Sequence, residues 1–364
     1  MTRTPALAEP AAWDAFVAEN ALGSYLQRTA WARVKAANGW TSARVVAGGA
    51  TPIGAQVLLR RPRPLPWAFA YAPRGPVATA WTAESLGAFT EALRSAPLGR
   101  VSHVRIDPEV ERDGPLDPDG SLRGILADAG WQPASPIQPP STRVIDLAAD
   151  EDALWGDLRK KWRQYVNKAR SNGVTIAELP GDPIGQFYAI YRETASRAGF
   201  LIRVEQAYRD VWEAYRPTGD ATILFAIDAD GTPQAALFLV RNGHRVVEPY
   251  GGMTVDGGAL RANYLLKWEA IRRAREAGAA TYDLWGLANP GIAHFKTGFG
   301  GREVRFIGAW DLVLSGLGRR TYLTAQGLRV GRARRRAGLA AAGAPGLSGA
   351  GDGASGTVAD IEAG

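Results

Sequence analysis

Residues 261–286 read RANYLLKWEAIRRAREAGAATYDLWG, and this stretch decides the fold class. The first eighteen predict a long helix that stops at an Ala-Gly pair, and TYDLWGL then predicts a strand. A weaker copy of that helix–Ala-Gly–strand junction stands at residues 125–133, ILADAGWQP. Outward from it, residues 185–200 (GQFYAIYRETASRAGF) predict another helix, and ATILFAID and AALFLVR, at 221–228 and 235–241, predict strands. Upstream, DEDALWGDLRKKWRQYVNKARSNG begins at Asp150 with acids, continues with bases and ends at Gly173. Its stripe of Trp155, Leu158, Trp162, Val166 and Ala169 predicts one amphipathic helix.

The first part of the chain mixes elements in the same way. Helices are expected over residues 26–40 and 83–96, and strands over 43–48, 53–59 and 101–108. The last of these stops at Asp107-Pro108, because proline cannot continue a ladder. Residues 131–147 carry Pro133, Pro136, Pro139 and Pro140, so the domain boundary is placed just after them, near Ala148. Alternation of helices and strands makes this an α/β (α+β) chain in two lobes of similar size. The Ala/Gly/Ser run at 338–364 lacks large apolar residues and is expected to be disordered.

At 364 residues and 46% hydrophobic, the chain is long enough for two cores. It has no cysteine, which excludes disulfides, thiolate-bound metals and a thiol nucleophile. Glu9 and Asp14 precede any apolar stretch of signal-peptide length, and no window approaches a membrane span. A soluble, cytoplasmic protein is therefore expected. The net charge of +7 equals the seven arginines at 319, 320, 329, 332, 334, 335 and 336, with no acid between Asp311 and Asp352. That concentration points to one local anionic contact, not to a basic globule.

Signatures of P-loop NTPases, zincins, α/β-hydrolases and dinucleotide folds (GxxxxGK[ST], HExxH, GxSxG, GxGxxG after a strand) are missing. His103, His244 and His294 are scattered, and no metal site is expected. Positive signals are three. Arg159, Lys160, Lys161, Arg163, Lys168 and Arg170 form a cationic strip opposite the apolar stripe of their helix, suited to phosphates. Only six lysines (35, 160, 161, 168, 267, 296) stand against 37 arginines, so an ammonium has been kept at few places. Finally, His294, Phe295, Lys296 and Phe299 lie among glycines at 291, 298, 300 and 301. Such a loop would approach a ligand closely and present one cation to developing negative charge.

LRKKWRQYVNKARSNGVTI, ETASRAGFLIR, RANYLLKWEAIRRAREAGAATYDLWG and HFKTGFGG, in this order, resemble the FemABX family of peptidoglycan bridge-forming aminoacyltransferases. LQRTAWARVKAANGW and VRIDP fit that family's first domain, so the resemblance covers roughly residues 22–325. It implies two GNAT-like domains, residues 1–148 completed by 306–330, and residues 149–305. By motif it implies Lys296 and Asp107 at the reacting centre, with Asp107 as the base. It implies Lys35 and Arg197 on the precursor, with Tyr250, Tyr264 and Phe295 as pocket walls. Lys160, Lys161, Arg163 and Lys168 would meet tRNA or phosphate. Nothing between Phe200 and Ala221 is long enough for the helical arm of staphylococcal-type members, so the chain is similar to the arm-less ones.

The activity so implied is transfer of an amino acid from aminoacyl-tRNA to the stem-peptide amine of a lipid-linked or nucleotide-linked peptidoglycan precursor. No cofactor is implied, and the enzyme would touch the inner membrane surface peripherally. Two other readings stand beside it. One is a GNAT-type N-acyltransferase with an acyl-CoA donor, although no glycine-rich pyrophosphate loop opens a helix. The other is a non-catalytic RNA- or membrane-binding protein, supported by the two basic segments alone.

Overall fold

The computed structural model describes residues 6–48, 51–287 and 290–336; the tail at 338–364 lies outside them. Two compact units result, one from residues 6–140 and 305–336, the other from residues 141–304.

The first unit opens with helices α1 (Pro10–Glu19) and α2 (Thr29–Ala36). Strands β1 (Thr41–Ala47), β2 (Ile53–Arg60), β3 (Ala68–Ala72) and β4 (Val77–Ala78) follow. Then come α3 (Ala83–Ser95), β5 (Val101–Ile106), α4 (Leu122–Asp128) and β6 (Trp131–Ala134). The helix expected over residues 26–40 is instead a short 3-10 turn, Tyr25–Gln27, and the eight residues of α2, separated by extended Arg28. Helix α3 starts where expected, because Thr82 and Ser85 cap each other reciprocally. That entry turns Leu86, Phe89 and Leu93 onto a core shared with Val104, Ile106 and Trp131.

The second unit starts at Ser141, not near Ala148. Residues beyond the prolines form β7 (Ser141–Asp146), followed by α5 (Glu151–Asp157), α6 (Lys160–Ser171) and β8 (Thr175–Ala177). Next are α7 (Ile184–Ala198), α8 (Glu205–Tyr215), β9 (Ala221–Ile227), β10 (Pro233–Asn242) and β11 (Arg245–Met253). The unit closes with α9 (Val255–Leu260), α10 (Ala262–Glu276), β12 (Thr281–Asp283), α11 (Pro290–Thr297) and β13 (Arg302–Arg305). Strand β7 pairs antiparallel with β12, Ile145 facing Tyr282, which assigns it to this unit. Sheet order is β13-β7-β12-β11-β10-β9-β8, with β11 and β12 parallel. Between α7 and β9 the only α-helix is the eleven-residue α8, so no long arm is present there.

The single helix expected over residues 150–173 is two. Leu158 and Arg159 are extended, and the Arg159 N–H leaves the helical ladder for the Gly298 carbonyl, 2.9 Å away. Leu158, Trp162, Val166 and Ala169 of the apolar stripe are buried, with Leu154, against Leu265, Trp268 and Ile271 of α10 and its neighbours, while Trp155 packs there half-buried.

The chain then returns to the first unit as β14 (Ala309–Val313) and α12 (Gly316–Arg336). Strand β14 inserts between β5 and β6, antiparallel to both, completing the order β1-β2-β3-β5-β14-β6. Asp311 of β14 sits opposite Arg105 of β5 with no solvent exposure. It takes two hydrogen bonds from that guanidinium, 2.7 and 3.0 Å, and one from Arg319 of α12 at 2.8 Å. Burial alone would raise this carboxyl; the arginines outweigh it and hold it below its ordinary value.

His103 of β5 lies beside this pair, fully buried, stacked near Phe69 and Tyr322. Burial lowers its pKa to about 4, from 6.5, against the pull of Asp311. An unfolded imidazole takes a proton near pH 6.5 while the folded one resists until about 4. Stability present above pH 6.5 is therefore lost as pH falls towards 4. Between pH 7 and pH 5 the loss from this group should be about 2 kcal/mol. In urea unfolding, His103→Asn should be less stable at pH 7 but lose about that much less on acidification. Equal slopes would show that His103 does not carry the pH dependence.

Candidate active site

Strand β12 ends at Asp283, a carboxylate with no solvent exposure. It is held by the Thr142 hydroxyl of β7 and by Arg245 of β11, and it accepts the Trp285 N–H at 2.7 Å. Trp285 is thereby kept at φ +56°, a left-handed conformation that a bulky residue enters only when its surroundings impose it. This is why TYDLWGL yields only three residues of strand. The turn aims the carbonyls of Trp285 and Gly286 at Lys296 Nζ, 3.3 and 2.9 Å away.

Lys296 is 3% exposed and lies on α11, so the expected glycine loop is a helix followed by glycines. Those glycines answer to protein, not to a ligand. A Cβ at Gly298 would stand 2.2 Å from the Trp162 indole, and one at Gly301, where φ is +70°, 2.4 Å from the Val144 carbonyl. The Trp162 indole N–H also donates to the Phe295 carbonyl at 3.0 Å. Tyr264, Phe295 and Phe299 pack edge and face around the same place, so the two expected walls Tyr264 and Phe295 do meet. Burial raises the Tyr264 phenol above its ordinary pKa. Tyr250 belongs to a different aromatic group, with Tyr191, Tyr208 and Phe238.

A second buried ammonium accompanies the first. Glu248 of β11 pairs with Lys267 of α10 and accepts the Tyr282 hydroxyl at 2.7 Å, all three groups buried. The charge of Lys296 also acts on Glu248; burial nonetheless pushes its carboxyl above the ordinary range. The Lys267 ammonium stands 5.5 and 5.7 Å from the Phe295 and Phe299 rings. Sequence reasoning left Glu248 unread, although an acid inside VVEPYGG and a lysine among only six were the available signals.

Arg197, at the end of α7, is exposed and donates to the Met253 carbonyl at 2.9 Å, next to Glu193 at 3.4 Å. On α6, Lys160, Lys161 and Lys168 are exposed, as the cationic strip requires. Lys160 and Lys161 occupy the N-terminal end, where the helix dipole is already positive; the local field favours an anion. Arg163 leaves that set. Its guanidinium donates to the carbonyls of Trp155, Gly156 and Leu158, closing the end of α5.

In the first unit, Lys35 is buried on α2, its ammonium 5.1 and 5.9 Å from the Trp31 and Trp40 rings. Asp107 is 3% exposed and accepts the Tyr71 hydroxyl at 2.7 Å and the N–H groups of Arg74 and Gln138 at 2.7 and 3.0 Å. Burial raises its carboxyl, with Arg74 opposing. Three donors from three segments describe a brace for the loops around it, where a base was expected. A cavity of about 640 Å³ beside α1, lined by Leu7, Phe16, Leu22 and Leu116 among others, contains none of the expected site residues. Among the described residues no cluster could hold a metal ion.

Removing one partner of a buried pair leaves the other charge uncompensated, at about 3–5 kcal/mol. Lys267→Met should therefore lower hydrogen-exchange protection of β11 by that amount, and Glu248→Gln/Lys267→Met should recover part of it. A loss under about 1 kcal/mol for the single variant would show that the pair does not hold the strand.

Residues 9–113 match the FemAB family, and residues 156–297 match the acetyltransferase (GNAT) domain. A lipid II:glycine glycyltransferase of Staphylococcus aureus (strain MRSA252) is 29% identical over 224 residues, 60% of this chain and 53% of that protein. The chain thus spans about half the length of the curated relatives it matches. The crystal structure of FemX superposes with a TM-score of 0.77 at 21% identity, covering 89% of this chain and 98% of that one. The C-terminal domain of a lysylphosphatidylglycerol synthetase from Agrobacterium fabrum gives 0.53 at 14% identity, covering 87% and 96%. The first unit thus carries the FemAB-family match and the second the GNAT-domain match, and the fold is that of FemX.

Proposed function

We propose that this protein is an aminoacyltransferase that moves an amino acid from aminoacyl-tRNA to an amine on a lipid-linked peptidoglycan precursor. The observation that carries the reading is Lys296, a buried ammonium fixed by two carbonyls in a family whose matched relatives are named lipid II:glycine glycyltransferases. The ester donor is already activated, so no covalent nucleophile is needed, in keeping with a sequence without cysteine. The acceptor amine attacks the ester carbonyl to form the C–N bond. The tetrahedral intermediate then breaks its C–O bond, and the tRNA hydroxyl departs with the amine's proton.

In this reading Lys296 supplies a preorganised positive charge to the oxyanion, and Tyr264 and Phe295 exclude water beside it. Lys35 and Arg197 hold the precursor's phosphates, and Lys160, Lys161 and Lys168 meet the tRNA backbone. Asp107 and Arg163 keep the structural places described above. The GNAT match over residues 156–297 favours one other donor, an acyl-CoA, with the same acceptor chemistry.

Incubating the protein with lipid-linked precursor and either charged tRNA or acyl-CoA separates the two by the mass added to the precursor. One amino-acid residue added from charged tRNA is the expected product; an acyl group added from CoA alone would overturn the proposal. Lys35→Met and Arg197→Ala should raise the apparent KM for precursor at least tenfold more than that for charged tRNA. Equal effects on both substrates would remove these residues from the precursor site.

A further inference from the structure

The root of α12 is anchored and its outer face is left bare. Arg319 is tied to buried Asp311, Tyr322 stacks on Phe69 at 4.6 Å, and Gly318 lies against Trp67. These residues occupy one side of the helix. On the other, Leu317 is 69% exposed and Leu328 59%, with exposed Arg320 and Thr324 between them. At about 100° per residue, Leu317, Arg320, Thr324 and Leu328 fall within a sector of roughly 80°. Leu314, just before the helix, is 37% exposed as well. Three of the six exposed large apolar side chains among the described residues are therefore in or next to α12.

Charge adds to this pattern. Seven arginines stand between residues 319 and 336, and no acid occurs between Asp311 and Asp352. The helix is not apolar enough to cross a membrane. Exposed leucines beside exposed Arg320, in a stretch of sequence without acids, suit an anionic bilayer surface, where acyl chains receive the leucines and lipid phosphates receive the guanidinium group. A tRNA backbone would match the arginines and leave the leucines in water.

The geometry points to α12 as a membrane-surface anchor that lies on anionic lipid with Leu317 and Leu328 inserted. Its use to the cell rests on the lipid-linked acceptor proposed above, but the binding is testable without any transfer. Because the helix root is fixed to the first unit through Asp311, docking α12 also fixes that unit against the bilayer.

The test sediments the full chain with vesicles of phosphatidylcholine, with and without phosphatidylglycerol, beside a tRNA filter-retention assay. The wild type should partition onto phosphatidylglycerol vesicles and lose that binding as salt rises. Leu317→Ser/Leu328→Ser should weaken it by roughly tenfold or more, since two apolar side chains leave the bilayer. Arg320→Glu changes the charge by two and should weaken it roughly 20- to 30-fold. Circular dichroism should be unchanged, as these side chains touch no core. Equal partitioning of wild type and variants would overturn the inference, as would Arg320→Glu lowering tRNA retention while the leucine variant leaves vesicle binding intact. A chain that binds vesicles through these leucines but transfers nothing would refute the proposed function and leave this inference standing.

Discussion

An ammonium ion taken out of water must be paired or hydrogen-bonded, and the second unit meets that condition for two lysines at once. Lys296 is held by the carbonyls of a strained turn, and Lys267 by Glu248. Neither arrangement is local. The turn exists because Asp283 is fixed from β7 and β11, and Glu248 is fixed by Tyr282 of β12. Five elements (β7, β11, β12, α10 and α11) therefore have to be in register before the charges are satisfied. That is how the fold holds one cation at a set position.

The first unit solves the opposite problem with the same means. There a carboxylate, Asp311, is buried, and arginines from β5 and α12 converge on it. The return of the chain after residue 305 is thus more than an added strand. It fills the place between β5 and β6, and it fixes the direction in which α12 leaves the sheet.

Much of this was legible in the sequence where the pattern is local. The periodic run of α10, the Ala-Gly stop and the strand behind it were readable because helix and strand periods differ. The rarity of lysine marked Lys35, Lys267 and Lys296, and all three are buried. What escaped was decided at long range. The apolar stripe runs unbroken across Leu158, so nothing local shows that Arg159 will bond to Gly298 and split the helix. Arg163 looked like part of a cationic strip because a sequence cannot show that three carbonyls of α5 end within its reach. The strand β11 was hidden by its own Glu248, Pro249 and two glycines, residues that argue against a strand until a buried lysine and a tyrosine are placed around the acid.

In the proposed reaction the Lys296 charge acts on the transition state. Single-turnover transfer by Lys296→Met, with charged tRNA and precursor both saturating, tests it most directly. Loss of one preorganised charge at a developing oxyanion predicts a rate roughly 100- to 1000-fold below wild type, with hydrogen-exchange protection of β11 and β12 retained. A variant that folds and turns over at near the wild-type rate would contradict the claim and leave Lys296 as a structural lysine.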